Sequence, residues 1–299
     1  MAPRRTLKKH APAVLLGQLA SADPETRWRA ARALGDHGDR SCVRPLEHVA
    51  RTDEDSFQKE GAYVDTTEHP YHAALDALTA IHARHPPSVD DISRVRAHLA
   101  DLDLAPGRAE HLAATLGRAA PAVAAPLLQH ADPRIRLRAT SVTARAAGAR
   151  TNHALWVDDE AVRLAATQQD AYRPGLYRDA LERFPDEPSV QVRRGICDLW
   201  LRYRARMGGK LRSFELADAL VDPDPDVHTR VAHHVLATAR GRTTSSWIDD
   251  PGGLRPVRAR LAARLEGDAP PPSAALLREV LALIDAALAP FGDPGPGAP

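Results

Sequence analysis

Cysteine is almost absent from this chain. Cys42 and Cys197 stand far apart with no CxxC spacing. That excludes a disulfide framework and fits reduced core thiols in a cytosolic protein. Aromatics make up only 4% of the 299 residues, against 43% hydrophobic overall. Much alanine with few rings suits thin stacked helices better than a barrel or sandwich. No uncharged stretch is long enough to cross a bilayer. An excess of charge is missing too: 40 basic residues face 39 acidic ones, so the chain as a whole has no bias toward nucleic acid or anionic lipid.

Catalytic motifs are equally scarce. There is no G-x-S-x-G, Walker loop, HExxH or G-x-G-x-x-G. Gly208-Gly209-Lys210 lacks the rest of a phosphate loop and reads as a turn. His69/His72 and His82/His85 are each spaced to share a helical face, and His233/His234 are adjacent. None has Cys or carboxylate neighbours at zinc spacing, so neither metal nor cofactor is expected. Lysine occurs only at positions 8, 9, 59 and 210, which makes the other 36 basic residues arginine. Arginine suits bidentate pairing with carboxylates or phosphates, although coding bias toward Ala, Arg, Pro and Gly accounts for the count as well.

What the chain does have is a repeated phrase. Asp23-Pro24-Glu25-Thr26-Arg27 returns as Asp132-Pro133-Arg134-Ile135-Arg136 and Asp159-Glu160-Ala161-Val162-Arg163, with looser copies at Glu187-Pro188 and Asp224-Pro225. Asp caps the free amides of a first helical turn, and Pro tolerates the position after it. Counted from the proline position, starts fall at Pro24, Pro70, Pro106, Pro133, Glu160, Pro188, Pro225 and Pro272, 27 to 47 residues apart by subtraction. A period of this size, with two helices per unit, predicts an all-α solenoid of about eight helical pairs. Positions +6, +7 and +10 carry one apolar stripe: Ala30, Ala31, Leu34; Leu112, Ala113, Leu116; Val231, Ala232, Val235. Gly35 and Gly117 at +11 read as helix stops.

The phrases at 23–35, 132–140, 158–166 and 222–232 resemble the HEAT-repeat family, in particular its short bacterial type found in phycobilisome-lyase-like proteins. The resemblance covers residues 12–290, with close matching in three units. It implies a right-handed superhelix and, for most members, a scaffold or binding platform. Gln191 and His228 stand where the family pattern expects Arg. The resulting division is a basic arm at 1–11, one continuous solenoid at 12–290 with insertions near 52–69 and 241–253, and a Gly/Pro-rich disordered tail at 291–299.

Two arginine rows follow from helical geometry. Position +3 (Arg27, Arg136, Arg163) lies near the core stripe, and the resemblance suggests that these arginines reach an Asp cap of a neighbouring unit. Position +5 (Arg29, Arg138, Arg193, Arg230) points away from +10 and reads as an exposed ridge. An ordinary solvated face is the plainer reading of any single member. Insertions are the second place for binding. The first holds Asp53, Glu54, Asp55, Phe57 and Tyr63; the second holds Trp247, either an interface anchor or a ring folded back on the helices.

The function expected is therefore a non-enzymatic, cytoplasmic scaffold that binds an acidic patch or peptide of a protein partner through Arg29, Arg138, Arg193, Arg230 and Trp247. The alternative is a HEAT-like DNA-binding protein or alkylpurine DNA glycosylase of the AlkD type. Trp156, Asp159, Trp200 and Arg202 superficially resemble part of that family's arrangement, but the spacings do not match and a basic groove is not evident. Arg4, Arg5, Lys8 and Lys9 before the apolar run 13–20 also admit an N-terminal export signal. Against it stand the shortness of the run, Gln18 within it, Pro12 just before it, and the capped helix directly after.

Overall fold

Helix starts are written by caps, and the computed structural model places them where the caps stand. It describes residues 12–59, 66–148, 153–169, 175–207, 211, 218–240, 248, 250, 253–267 and 271–291. Asp23, Asp132, Asp159 and Asp224 each accept from amides of the turn that follows. Ser88 and Asp91 form a reciprocal capping box. Pro24, Pro70, Pro106, Pro133 and Pro225 occupy first helical positions.

The chain divides into two compact units, residues 1–153 and 154–299. In the first unit the helices are α1 (Pro12–Gln18), α2 (Pro24–His37), α3 (Val43–Thr52), α4 (Pro70–Arg84), α5 (Val89–Ala100), α6 (Pro106–Ala114), α7 (Ala120–Ala124) and α8 (Pro133–Ala146). Packing follows chain order: α2 and α3 lie on α4, α5 on α6 and α7, and α6 and α7 on α8. In the second unit α9 (Glu160–Thr167), α10 (Leu176–Arg183), α11 (Val190–Met207), α12 (Pro225–Ala239), α13 (Leu254–Glu266) and α14 (Ala274–Leu288) repeat the scheme. There α9 and α10 pack on α11, α11 on α12, α12 on α14, and α13 on α14. Both units are thus all-α with contacts between near neighbours in sequence, a helical-repeat pattern.

The core stripe lies where its period put it. Ala30, Ala31, Leu34, Leu112, Ala113, Leu116, Val231, Ala232 and Val235 are all buried. Cys42 and Cys197 are buried free thiols. Gly35 is not a helix stop. It lies inside α2, and a Cβ there would stand 3.2 Å from the Ala77 Cα, so its role is close approach of α2 to α4. Gly117, with φ +55°, is not the cap of α6 either: that helix ends at Ala114 with Thr115 as its cap, and Gly117 opens the 3₁₀ turn after it.

Two unit starts shift by two residues. α11 begins at Val190 rather than Pro188, and α14 at Ala274 rather than Pro272. In α11 the Ser189 hydroxyl accepts from the Val192 amide, so the cap is Ser189 and not Glu187. The unit starting at Pro133 lacks a regular second helix among its described residues, having only a 3₁₀ turn at His153–Trp156 before α9. The insertion at 52–69 contains a hairpin, β1 (Phe57–Lys59) against β2 (Thr66–Glu68), antiparallel with Phe57 opposite Glu68. It folds back on α2: Phe57 meets Trp28 edge-on at 5.7 Å, and the Lys59 Nζ lies 4.7 Å from the centre of the Trp28 ring. The arm at 1–11, Tyr63, Lys210, Trp247 with most of its loop, and residues 292–299 lie outside the described residues.

Candidate functional site: the arginine–carboxylate rungs

One guanidinium arrangement recurs in both units. Arg27 Nη1 donates to the carbonyls of Ser21 (2.8 Å) and Ala22 (3.0 Å), six and five residues back. Arg136 does the same to His130 (2.8 Å) and Ala131 (3.0 Å), and Arg163 to Val157 (2.7 Å) and Asp158 (2.9 Å). In Arg27 and Arg163 the other edge of the fork reaches a carboxylate further along the chain. Arg27 meets Asp53 through Nε at 2.6 Å and Nη2 at 3.1 Å. Arg163 meets Glu187 at 2.9 Å and 3.0 Å. Arg27 and Arg163 therefore each pin the turn before their own helix to the turn that follows the next one.

In the second unit these rungs join into a relay. Glu187 takes Arg163 on its carboxylate, while its backbone carbonyl accepts from Arg193 at 2.9 Å. Arg193 Nε then donates to Asp222 at 2.7 Å. The Asp222 carbonyl in turn receives His228 Nδ1 at 2.9 Å, and His228 Nε2 meets the Ser273 hydroxyl. The same carboxylates tie their local turns: Ser189 N donates to Glu187 at 3.0 Å and Asp224 N to Asp222 at 2.8 Å. In the first unit Asp55 N donates to Asp53 at 3.1 Å in the same way.

Electrostatics agree with the geometry. Burial pushes the Glu187 carboxyl up, but Arg163, the Ser189 amide and Arg183 together outweigh it and hold its pKa below the usual value. Asp224 is lowered chiefly by the hydrogen bond from Arg194, its cross-helix partner at 2.7 Å. Hydrogen bonding to Asp53 raises Arg27 despite desolvation.

This arrangement corrects the exposed-ridge expectation. Arg193 belongs to the rungs, because α11 starts two residues late and places it at the fourth helical position, in line with Arg27 and Arg163. Gln191 is consequently no departure from the pattern. His228 is one in residue type only, since its ring takes the place of the missing guanidinium. Arg138 is buried, 3% exposed, and donates to the carbonyls of Leu99 (3.2 Å), Asp101 (2.5 Å) and Leu104 (2.6 Å), which closes the end of α5. Burial also pushes its pKa below the usual guanidinium range. Only Arg29 and Arg230 remain at the surface. Arg29 pairs with Glu25 one turn back at 2.6 Å, and Arg230 pairs with Asp198 on α11. The row of four is therefore two surface arginines and two structural ones.

The residues of the glycosylase reading are not brought together either. Trp200 is 2% exposed and packs edge-on against His234 at 5.2 Å, so it is a core ring. Trp156 is partly exposed, with the Arg183 guanidinium 5.5 Å from its ring centre. Asp159 caps α9, and Arg202 donates to the Thr167 carbonyl at 2.6 Å. His69 and His72 lie edge to face at 5.5 Å, and no group of His, Cys, Asp and Glu among the described residues has the geometry of a metal site. No described helix is long and apolar enough to cross a membrane.

The rung acceptors escaped the sequence reading, yet they carry a signal. An acid sits two residues before the next cap, as Glu187 does before Ser189 and Asp222 before Asp224, and lies 24 or 29 residues beyond its arginine. No protein-family model matches the chain, and no curated protein is detectably similar to it.

Proposed function

We propose that the chain is a HEAT-like helical solenoid that acts as a cytoplasmic, non-enzymatic scaffold for a protein partner. One observation carries the reading: in both units buried arginines tie the turn before a helix to a carboxylate in a later turn, bidentately at Arg27 and Arg163. Helices held this way present a pre-ordered surface, so a partner binds without an ordering cost to the scaffold. Such repeat stacks serve as extended binding surfaces.

The partner chemistry proposed is an acidic patch or acidic peptide, met in the first unit at Arg29 and in the second at Arg230. Both guanidiniums are at least half exposed, with single carboxylate partners at the surface. An exposed ion pair contributes little to folding, about 0–1 kcal/mol, so these arginines are free to exchange partners at small cost. The test is capture from native lysate with the wild-type chain and with Arg29→Glu/Arg230→Glu. An acidic protein retained by the wild type and lost by the variant supports the reading. Equal retention by both refutes the assignment of these arginines.

A further inference from the structure

Most arginines with a described environment end on a carboxylate or a backbone carbonyl. In the first unit Arg94 holds Glu47 and Asp91, Arg134 holds Asp132, Arg108 holds the Arg51 and Asp53 carbonyls, and Arg96 holds the Val123 carbonyl. Arg44, Arg51, Arg118 and Arg145 differ, and the last two lie together. Neither side chain makes an ion pair or hydrogen bond to a described residue, and both are exposed on the rim of one cleft. The cleft has a volume of 540 Å³ and lies between the end of α6, the 3₁₀ turn at Gly117–Ala119, α7 and the last turns of α8. Its remaining lining is apolar or glycine: Ala114, Gly117, Ala120, Pro121, Val142 and Ala146. No described carboxylate lines it.

We infer that this cleft binds an amphipathic anion, with a carboxylate or phosphate head held by Arg118 and Arg145 and an apolar body on the Ala/Val/Pro floor. The volume falls in the range of small-molecule sites, roughly 300–1,000 Å³, which are mostly apolar with a few placed polar groups. Two guanidiniums without a local counter-charge create a positive rim, and each offers the planar fork that matches a carboxylate or phosphate. Arg145 also complements the carbonyl end of α8. That accounts for a cation at this helix end but not for a second unpaired one across the cleft. The apolar floor selects against bare inorganic anions, because only a ligand with an apolar body removes that floor from water. The inference is independent of any protein partner.

Isothermal titration of the full chain with hexanoate, octanoate, decanoate, decyl phosphate and uncharged decanol tests it. Decanoate or decyl phosphate binds in a single-site isotherm and decanol binds at least tenfold more weakly. Affinity rises from hexanoate to decanoate by up to about fourfold per methylene that reaches the floor. Whichever head binds more tightly identifies it as carboxylate or phosphate. Arg118→Glu and Arg145→Glu each weaken binding at least tenfold. Ala146→Trp, a change at an exposed position that fills the cleft, abolishes it while the circular dichroism spectrum stays unchanged. The inference is overturned by absence of saturable binding, by equal binding of decanol, or by binding that survives the charge reversals or Ala146→Trp.

Discussion

Replacing Glu187 by Gln keeps the side-chain shape and removes one charge from the middle of the relay. The carboxylate is fully buried and takes Arg163 at 2.9 Å and 3.0 Å, Ser189 N at 3.0 Å and Arg183 at 3.4 Å. Without it the Arg163 guanidinium, itself 6% exposed, is left buried with the Val157 and Asp158 carbonyls and one amide oxygen but no counter-charge. Breaking one side of such a pair costs about 3–5 kcal/mol, most of it the penalty of an uncompensated buried charge. At 2–4 °C per kcal/mol for a domain of this size, the transition of the second unit drops by roughly 6–20 °C. Thermal denaturation followed by circular dichroism reads this directly. Arg163→Met does comparable damage, and the double variant Arg163→Met/Glu187→Gln is less destabilised than the two losses summed, by a coupling of about 2 kcal/mol or more. Additive losses, or a transition within about 2 °C of wild type for Glu187→Gln, would refute the claim that the relay holds α9 to α11.

Three further outcomes follow from the packing. His82 is buried, with Nδ1 donating to the Thr115 carbonyl at 3.1 Å, and desolvation outweighs that bond to hold its pKa below the ordinary value of 6.5. The unfolded chain then takes up a proton that the fold refuses, so stability is full above about pH 6.5 and declines as pH falls below it, by up to about 1.4 kcal/mol per pH unit for this residue. Urea titrations between pH 7.5 and 5 measure the slope, which His82→Asn flattens. Gly195→Ala places a Cβ 2.2 Å from Thr167 Oγ1 across the contact of α9 and α11 and costs about 1–3 kcal/mol; Thr167→Ala in the same chain recovers part of it in the same denaturation assay. Cys42 and Cys197 react with a disulfide reagent only after unfolding, since both are buried and burial pushes the Cys197 thiol up to about 12.

Much of the fold was legible because caps and period are local properties. Asp23, Asp132, Asp159 and Asp224 mark their own helix starts, and the stripe from Ala30 to Leu34 marks its own face. The misreadings have a common physical source. Pro188 looks like Pro24, but Ser189 caps better than Glu187 when the Glu187 carboxylate is already claimed by Arg163, a residue in the preceding helix pair. That two-residue shift turned Arg193 from a surface residue into a rung. Arg138 lies at the angle expected of a solvated side chain, yet its length lets it fold over three carbonyls at the end of α5, and helical angle alone does not carry that information. Gly35 failed as a stop for the same reason, because what it accommodates is Ala77 on another helix. The cleft between Arg118 and Arg145 is formed by residues up to 32 positions apart, by subtraction of residue numbers, and no local pattern announces it.

Arginine side-chain NMR reads the rungs most directly. With 15N at Nε, the Nε–H groups of Arg27, Arg163 and Arg193 point at buried carboxylates, whereas that of Arg29 faces solvent. The account predicts sharp Nε–H signals for those three at pH 7, exchanging with water far more slowly than Arg29 and lost for Arg193 on Asp222→Ala. Exchange of Arg163 and Arg193 as fast as that of Arg29 would contradict it.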